Sequence, residues 1–207
     1  MGAEGASGGP AAAVVLAAGE GRRFGGGKLL MPYGGTTVLG AVVSALSGAG
    51  LRPIIVVAGR EPGVIERSLA ELPAKVVVNP APERGMVSSL RVGAAALPAD
   101  VARFLVALGD QPQVGADDVT RLVRAAARSG KGIALPAHEG KRGHPVVLAG
   151  RYREAVLALG DDETLRDLIH AHREDVVEVP FPSDVVLRDI DTRTDYEHEL
   201  RRADRDG

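Results

Sequence analysis

A glycine-rich loop with three cationic side chains follows the first apolar segment of the chain. The stretch VVLAAGEGRRFGGGKLL, residues 14–30, contains five glycines, two adjacent arginines and a lysine. Glycine permits positive φ angles and close backbone approach, so successive N–H groups can point at phosphate oxygens. Arg23 and Lys28 would add full positive charges. The stretch predicts a phosphate-binding loop, although a mobile surface loop can have the same composition.

An aspartate follows a later apolar run. Asp110 follows RFLVAL, one glycine later, and precedes Gln111, which places it just beyond the end of a buried strand. A carboxylate beside a triphosphate is repelled by about 4 kcal/mol per pair of unit charges at ~4 Å and an effective dielectric near 20, unless a cation lies between them. Mg²⁺ suits this role, because it prefers carboxylate and phosphate oxygens. Asp110 can also be read as an ordinary turn or cap residue.

Three familiar catalytic patterns fit poorly. The dinucleotide fingerprint starts at Gly19 and Gly21, but Phe24 occupies its third glycine position. A P-loop needs Ser or Thr after its lysine, where this chain has Leu29. GMVSSL, residues 85–90, lacks the nucleophile-elbow spacing of a hydrolase. It instead places Gly85, Met86, Ser88 and Ser89 at a predicted helix start, where hydroxyl groups can contact a base or ribose or simply cap the helix.

Composition narrows the class of protein. The 207 residues are 45% hydrophobic with a formal net charge of −2, which predicts one sizeable core and no basic field for a nucleic-acid partner. Without cysteine, this chain offers no disulfide, thiolate nucleophile or cysteine-ligated metal, which fits a reducing cytoplasm. No apolar run approaches the roughly 20 residues needed to cross a bilayer, so we expect no membrane association and a cytoplasmic location.

Short apolar runs alternate with helical patterns. The runs cover residues 12–17, 53–58, 75–79, 104–108 and 132–136, and the helical patterns cover residues 37–46, 63–72, 87–97 and 117–127. This order is typical of an α/β fold with a mostly parallel sheet between two helical layers. A loop or hairpin, a further strand and helices near 151–158 and 163–172 are predicted next. Ligands collect at the strand ends of such sheets, where the glycine-rich loop begins.

Several motifs together resemble one family. LAAGEGRRFGGGK is similar to the L-A-A-G-x-S-x-R-M-G-x-x-K signature of the molybdopterin nucleotidyltransferase-like family, especially its molybdenum cofactor cytidylyltransferase branch. Gly21 and Phe24 replace the serine and methionine of that signature. Further matches follow in the family's order: NPAPERGMVSSLRVG, LGDQPQV, GKRGHPVVL and LRDIDTRTDY. Pro82 departs from a commonly aromatic position, and LGDDETLRDLI only approximates a later family segment.

The resemblance implies a three-layer α/β/α, Rossmann-like nucleotidyltransferase fold. We expect a single NTP transferase domain over residues 11–200, with a disordered tail at 1–10 and a flexible tail at 201–207. The implied enzyme transfers CMP from CTP to the terminal phosphate of molybdenum-molybdopterin and releases pyrophosphate. A molybdoenzyme would receive the product. The cytidine preference follows from LAAG, since the guanine branch has LAGG at this place.

The resemblance also assigns roles to particular residues. Asp110 and Asp191 would hold Mg²⁺, although Asp191 could instead cap a helix that starts near Asp195. Arg142 and His144 would contact the acceptor, although a surface histidine is often only structural. Catalytic roles fall to Arg23, Lys28 and Asp110. Nucleotide contacts fall to Leu16, Ala17, Ala18, Gly19, Arg23, Lys28, Gly85, Met86, Ser88 and Ser89.

Two alternatives remain open at this level. The acceptor could be another phosphorylated molecule, such as a sugar phosphate or an isoprenoid precursor, because related folds share a glycine-rich loop and an acidic metal site. The chain could also be a chaperone that binds the molybdenum cofactor without transferring a nucleotide.

Overall fold

The computed structural model describes residues 11–19, 21, 23–59 and 61–206, without the side chains of residues 204–206. The tail expected at residues 1–10 lies outside this description. Residues 201–206, expected in a flexible tail, continue the last helix. Within the described residues, no helix is long and apolar enough to cross a membrane.

The main sheet has eight strands and is mostly parallel. The strands of the chain are β1 Ala11–Ala17, β2 Pro32–Tyr33, β3 Thr36–Thr37, β4 Ile54–Ala58, β5 Ala74–Val78, β6 Arg103–Leu108, β7 Ile133–His138, β8 Lys141–Arg142, β9 Val146–Ala149 and β10 Val176–Pro180. The order is β10-β7-β9-β6-β1-β4-β5, with β8 also paired to β7, while β2 and β3 form a separate hairpin. Strand β9 is antiparallel to β6 and β7.

Helices cover both faces of the sheet. They are α1 Val38–Gly48, α2 Gly63–Ser68, α3 Met86–Ala95, α4 Ala116–Ser129, α5 Arg153–Leu157, α6 Leu165–Ala171 and α7 Arg193–Asp206. Apolar residues of α1 and α4 pack on one face. Those of α3, α5 and α6 pack on the other. The predicted three-layer α/β/α fold is therefore confirmed.

Element boundaries differ from the sequence prediction in one informative place. The helix expected at residues 63–72 ends at Ser68. Leu69 is buried in the core, and the chain turns before β5 begins at Ala74. Pro73 disfavours a helical conformation at Leu72. The apolar pattern therefore continues to residue 72, beyond the last helical residue.

The predicted hairpin after residue 136 is also present. Strands β7 and β8 pair antiparallel through a turn in which Gly140 has a φ of 77°. Gly143 follows, and a Cβ atom there would lie 2.0 Å from the Val186 carbonyl oxygen. The next residue, His144, donates its backbone N–H to that same oxygen at 3.0 Å. Only glycine allows this close approach, which holds the RGHP segment against the chain that precedes α7.

Helix α3 approaches β1 closely at Gly93. A Cβ atom on Gly93 would lie 2.2 Å from Cγ1 of Val14 and 3.0 Å from Cγ2 of Val57, both in fully buried side chains. Valine is stiff at χ1, so these neighbours cannot turn away without disturbing the sheet. The missing side chain therefore lets α3 pack closely against β1 and β4.

We expect Gly93→Ala to destabilise the protein by about 1–3 kcal/mol in urea unfolding, because overpacking outweighs the gain of about 0.5–1 kcal/mol from replacing a helical glycine. Gly48→Ala is the matched control. Its added Cβ would meet Ala116 at 3.2 Å, so we expect a change below about 1 kcal/mol. Equal stability of Gly93→Ala and wild type would contradict the close packing.

Candidate functional site

An open cavity of about 450 Å³ lies where β1 and β6 end and α3 begins. It brings together most of the residues singled out from the sequence, including the end of β1, the glycine-rich loop and both metal-ligand candidates. Its lining consists of Leu16, Ala17, Ala18, Gly19, Gly21, Arg23, Lys28, Leu29, Pro82, Gly85, Met86, Ser89, Leu108, Asp110, Asp189 and Asp191.

Lys28 joins the two carboxylates in this cavity. Its Nζ lies 2.6 Å from Oδ2 of Asp110 and 3.3 Å from Oδ1 of Asp191. The lysine side chain is only 11% exposed, whereas that of Asp191 is 43% exposed. Arg23, on the open side, places Nη1 2.8 Å from Oδ2 of Asp191. The four groups form a compact ion cluster, which we call the Lys28 cluster.

The ammonium group of Lys28 stays charged. Burial by itself lowers the pKa of Lys28, but the hydrogen bonds and negative charges of Asp110 and Asp191 outweigh it and raise the pKa above 10.5. A lysine in this state can neutralise an anion at neutral pH.

The glycine-rich loop positions Lys28 through its backbone. The Gly21 carbonyl oxygen accepts the N–H groups of Phe24, Gly25 and Gly26 at 2.9, 3.1 and 3.2 Å. Gly25, Gly26 and Gly27 all have positive φ angles, at 89°, 88° and 71°. These are conformations that side chains other than glycine rarely adopt. The loop then enters a short 3₁₀ turn at Lys28–Leu30.

Phe24 anchors the loop to the protein. Its buried ring packs with Val38, Ile190 and Tyr196, a set that we call the Phe24 cluster. The rings of Phe24 and Tyr196 meet edge to face with centroids 6.2 Å apart. The Tyr196 hydroxyl donates to the Pro32 carbonyl oxygen at 2.7 Å. Phe24, one of the two residues that depart from the family signature, therefore ties the loop to α7 beside Asp191.

Asp191 is not the cap of α7. Asp195 Oδ2 accepts the Thr192 N–H at 2.7 Å, and Thr192 Oγ1 accepts the Asp195 N–H at 3.2 Å, which is a reciprocal capping box. Asp195 Oδ2 also accepts the backbone N–H of Asp191 at 3.2 Å. These contacts fix the backbone of Asp191 while its carboxylate faces Lys28 and Arg23.

The two serines of α3 take part in a buried network. Asn79, 1% exposed, donates through Nδ2 to the hydroxyls of Ser88 and Ser89 at 2.8 and 2.9 Å. The Ser88 hydroxyl donates to the Gly85 carbonyl oxygen at 2.7 Å. Ser88 does not line the cavity, whereas Ser89 does. The geometry favours a role for Ser88 in shaping the loop before α3.

Sequence reasoning missed two polar groups of this region. Asn79 organises the start of α3, and its position just after β5 could have signalled this. Asp189 lines the cavity two residues before Asp191 and accepts a hydrogen bond at 2.6 Å from Nε2 of the buried Gln111. The two aspartates of DIDT face the same cavity, although the sequence analysis singled out only the second.

Arg142 and His144 line a different cavity, of about 720 Å³. We call it the Arg142 cavity. Arg142 pairs with Glu178 through Nε at 2.8 Å. Burial lowers the pKa of His144, against the opposing influence of Asp110, so the imidazole is neutral near pH 7. The exposed side chain of Met86 lines this cavity, the cavity of the Lys28 cluster and a third cavity between them, which we call the middle cavity. The three cavities therefore form a continuous surface.

The segment before α6 is tied to the start of α3. Asp161 accepts hydrogen bonds from Nε of Arg84 at 2.8 Å and from Nη2 of Arg91. These contacts lower the pKa of Asp161, Arg91 having the larger effect. The segment thereby forms a wall of the middle cavity, next to Gly85 and Met86.

The residues present fit a divalent cation of the magnesium type. Asp110 and Asp191 supply hard oxygen donors, and both already contact one cationic atom, Nζ of Lys28. Among the described residues there is no cluster of three or more His, Cys, Asp or Glu arranged to hold a metal. Two carboxylates suit a divalent ion that substrate phosphates and water would also coordinate.

Comparison with known proteins gives a family match over most of the chain. Residues 13–176 match the MobA-like NTP transferase domain. Nicotine blue oxidoreductase from Paenarthrobacter nicotinovorans is 34% identical over 151 residues, which covers 69% of this chain and 72% of that protein. Molybdenum cofactor guanylyltransferase from Mesorhizobium japonicum is 31% identical over 177 residues, which covers 82% of this chain and 83% of that protein.

Solved structures agree with this match. A nucleotidyl transferase from Methanothermobacter thermautotroptrophicus superposes with a TM-score of 0.81 at 28% identity, covering 96% of this chain and 99% of that one. The manganese complex of Rv0371C from Mycobacterium tuberculosis H37Rv has a TM-score of 0.76 at 29% identity, covering 93% and 98%. The Rossmann-like nucleotidyltransferase fold expected from the sequence is confirmed.

We expect Phe24→Ala to lower the free energy of unfolding by about 3 kcal/mol, the lower end of the range for removing a buried aromatic ring. Amide hydrogen exchange across residues 23–28 should also accelerate, because the loop loses its attachment to α7. Phe24→Met is the matched control, since it keeps an apolar side chain at this place and should cost less than about 1.5 kcal/mol. Unchanged exchange in Phe24→Ala would show that the ring does not hold the loop.

Proposed function

This chain belongs to the MobA-like NTP transferase family, and we propose that it transfers CMP from CTP to the terminal phosphate of molybdenum-molybdopterin, with release of pyrophosphate. The observation that carries the proposal is the Lys28 cluster, which places two cations and two carboxylates at the mouth of a glycine-rich loop. A triphosphate needs cations and backbone donors, and a bridging metal needs the carboxylates.

The loop and its cations would bind the triphosphate. Lys28 and Arg23 would contact the triphosphate and stabilise the departing pyrophosphate. The attacking phosphate is already ionised near neutral pH, so the reaction needs no serine or cysteine nucleophile and little help from a general base. Positioning and charge stabilisation then account for the rate.

Asp110 and Asp191 would hold Mg²⁺, which supplies positive charge to the phosphates when bound. The two aspartates leave β6 and the segment before α7, and both side chains face the cavity. A manganese complex of a structural relative supports a divalent cation in this fold, although it does not distinguish manganese from magnesium.

The preference for CTP rests on the first turn of the loop. Leu16, Ala17, Ala18 and Gly19 line the cavity together with Gly85, Met86 and Ser89 of the α3 start, so a base would lie between these two segments. LAAG at this place is similar to the cytidine branch of the family. A relative named guanylyltransferase makes GTP the competing substrate.

The acceptor would occupy the adjoining surface. The Arg142 cavity and the middle cavity meet the cavity of the Lys28 cluster at Met86. This joined surface has room for a large acceptor whose phosphate would reach the nucleotide. Arg142, His144 and neighbouring Lys141 and Arg166 offer polar and cationic groups there. The proposed setting is cytoplasmic, and a molybdoenzyme would receive the dinucleotide cofactor.

We expect Asp110→Asn to reduce Mg²⁺-dependent transfer by at least about a hundredfold, because a metal contributes several kcal/mol to transition-state charge stabilisation. Nucleotide binding without metal should change much less. Asp189→Asn is the matched control: it removes a carboxylate from the same cavity but keeps the oxygen that accepts from Gln111. Equal losses of transfer activity in the two variants would show that Asp110 is not a specific metal ligand.

The proposed activity is tested by crossing CTP, GTP and ATP with molybdenum cofactor and following pyrophosphate and dinucleotide product. We expect release to require both substrates and CTP to give the higher yield in direct competition with GTP. A buried polar group left without its partner costs about 1–3 kcal/mol, so discrimination should be at least about fivefold. A GTP preference would overturn the base assignment but leave nucleotidyl transfer intact.

Cofactor binding without pyrophosphate release, with any of the three nucleotides, would instead support the non-catalytic chaperone. Release with a sugar phosphate but not with molybdenum cofactor would identify a different phosphorylated acceptor. Each result changes a separate part of the proposal.

A further inference from the structure

Lys28 occupies the place between the two carboxylates that a metal ion would take. Its Nζ is within 3.3 Å of both Asp110 and Asp191. We infer that Lys28 is an internal placeholder cation, which keeps divalent metal off this site until a triphosphate draws the ammonium away. This inference rests on the proposed role of the two aspartates as metal ligands and adds an order to the binding of metal and nucleotide.

The two cations compete because they need the same oxygen atoms. The ammonium group donates to Oδ2 of Asp110 and Oδ1 of Asp191, and the Lys28 side chain is largely buried between them. A divalent ion that bound both carboxylates would come within a few ångströms of a like charge, and it would also displace these hydrogen bonds. Metal binding to the nucleotide-free protein is therefore opposed by the lysine.

A triphosphate offers the ammonium a second set of partners. Lys28 lines the same cavity as the glycine-rich loop, and its stem passes over Gly21, where a Cβ atom would lie 3.5 Å from Lys28 Cγ. The flexible four-carbon stem lets the ammonium turn from the carboxylates to phosphate oxygens held by the loop. Asp110 and Asp191 then become available to the metal that arrives with, or after, the nucleotide.

Arg23 cannot act as the placeholder in the same way. It contacts Asp191 only through Nη1 in the described structure, and its side chain is 78% exposed. Solvent screens such an exposed pair strongly. The bridging position of Lys28 therefore predicts different effects of removing the two cations, although each removal changes the net charge by one unit.

The experiment measures Mn²⁺ binding to the nucleotide-free protein by the paramagnetic resonance signal of the free ion. We expect Lys28→Met to bind Mn²⁺ at least about tenfold more tightly than wild type, equivalent to about 1.4 kcal/mol. Lys28→Arg keeps the charge and should bind close to wild type. Arg23→Met, which loses the same charge from an exposed position, should show a smaller gain than Lys28→Met. Thermal melts confirm that each variant is folded.

The same titrations with CTP present, and no acceptor, complete the test. CTP should strengthen Mn²⁺ binding more in wild type than in Lys28→Met, because only the wild type has a placeholder to release. By linkage, Mn²⁺ should then strengthen CTP binding by the same factor in each protein. If Lys28→Met gains no affinity while wild type binds Mn²⁺ with CTP, the placeholder is overturned and the proposed metal site survives. If no protein binds Mn²⁺ with or without CTP, both fail.

Discussion

The ion cluster around Lys28 is the interaction on which the site depends. It joins the loop after β1 to the end of β6 and to the segment before α7. Lys28 is separated in sequence from Asp110 by 82 positions and from Asp191 by 163 positions. Asp110 and Asp191 each contact a cation of the protein itself before any ligand arrives. A ligand that carries phosphates and a metal can replace these internal contacts with equivalent ones, and that exchange is the physical basis of the proposed activity.

The rest of the fold brings the three segments to one place. The parallel strands β1 and β6 are neighbours in the sheet, so the glycine-rich loop and Asp110 leave the same edge. The Phe24 cluster fastens the loop to α7, and the capping box of that helix fixes the backbone of Asp191. Relatives of this family have different names, including an oxidoreductase and a guanylyltransferase, so the function here has to be argued from these side chains.

The sequence predicted the layered fold because buried parallel strands are continuous apolar runs. Asp110 could be located because it ends such a run. Asp191 required the family resemblance, since a local pattern could not show that Thr192 and Asp195 cap the helix instead. The role of Phe24 depends on contacts across the fold, which composition and spacing do not encode. The early end of α2 was missed because Leu69 supplies an apolar side chain from outside the helix.

A crystal structure of the protein with CTP and Mg²⁺ tests the central claim most directly. We expect the triphosphate on the glycine-rich loop, Nζ of Lys28 within hydrogen-bond distance of a phosphate oxygen, and the metal held by Asp110 and Asp191. A nucleotide bound elsewhere, for example in the Arg142 cavity, with Lys28 still in contact with both carboxylates, would contradict the assignment of this cavity as the nucleotide site.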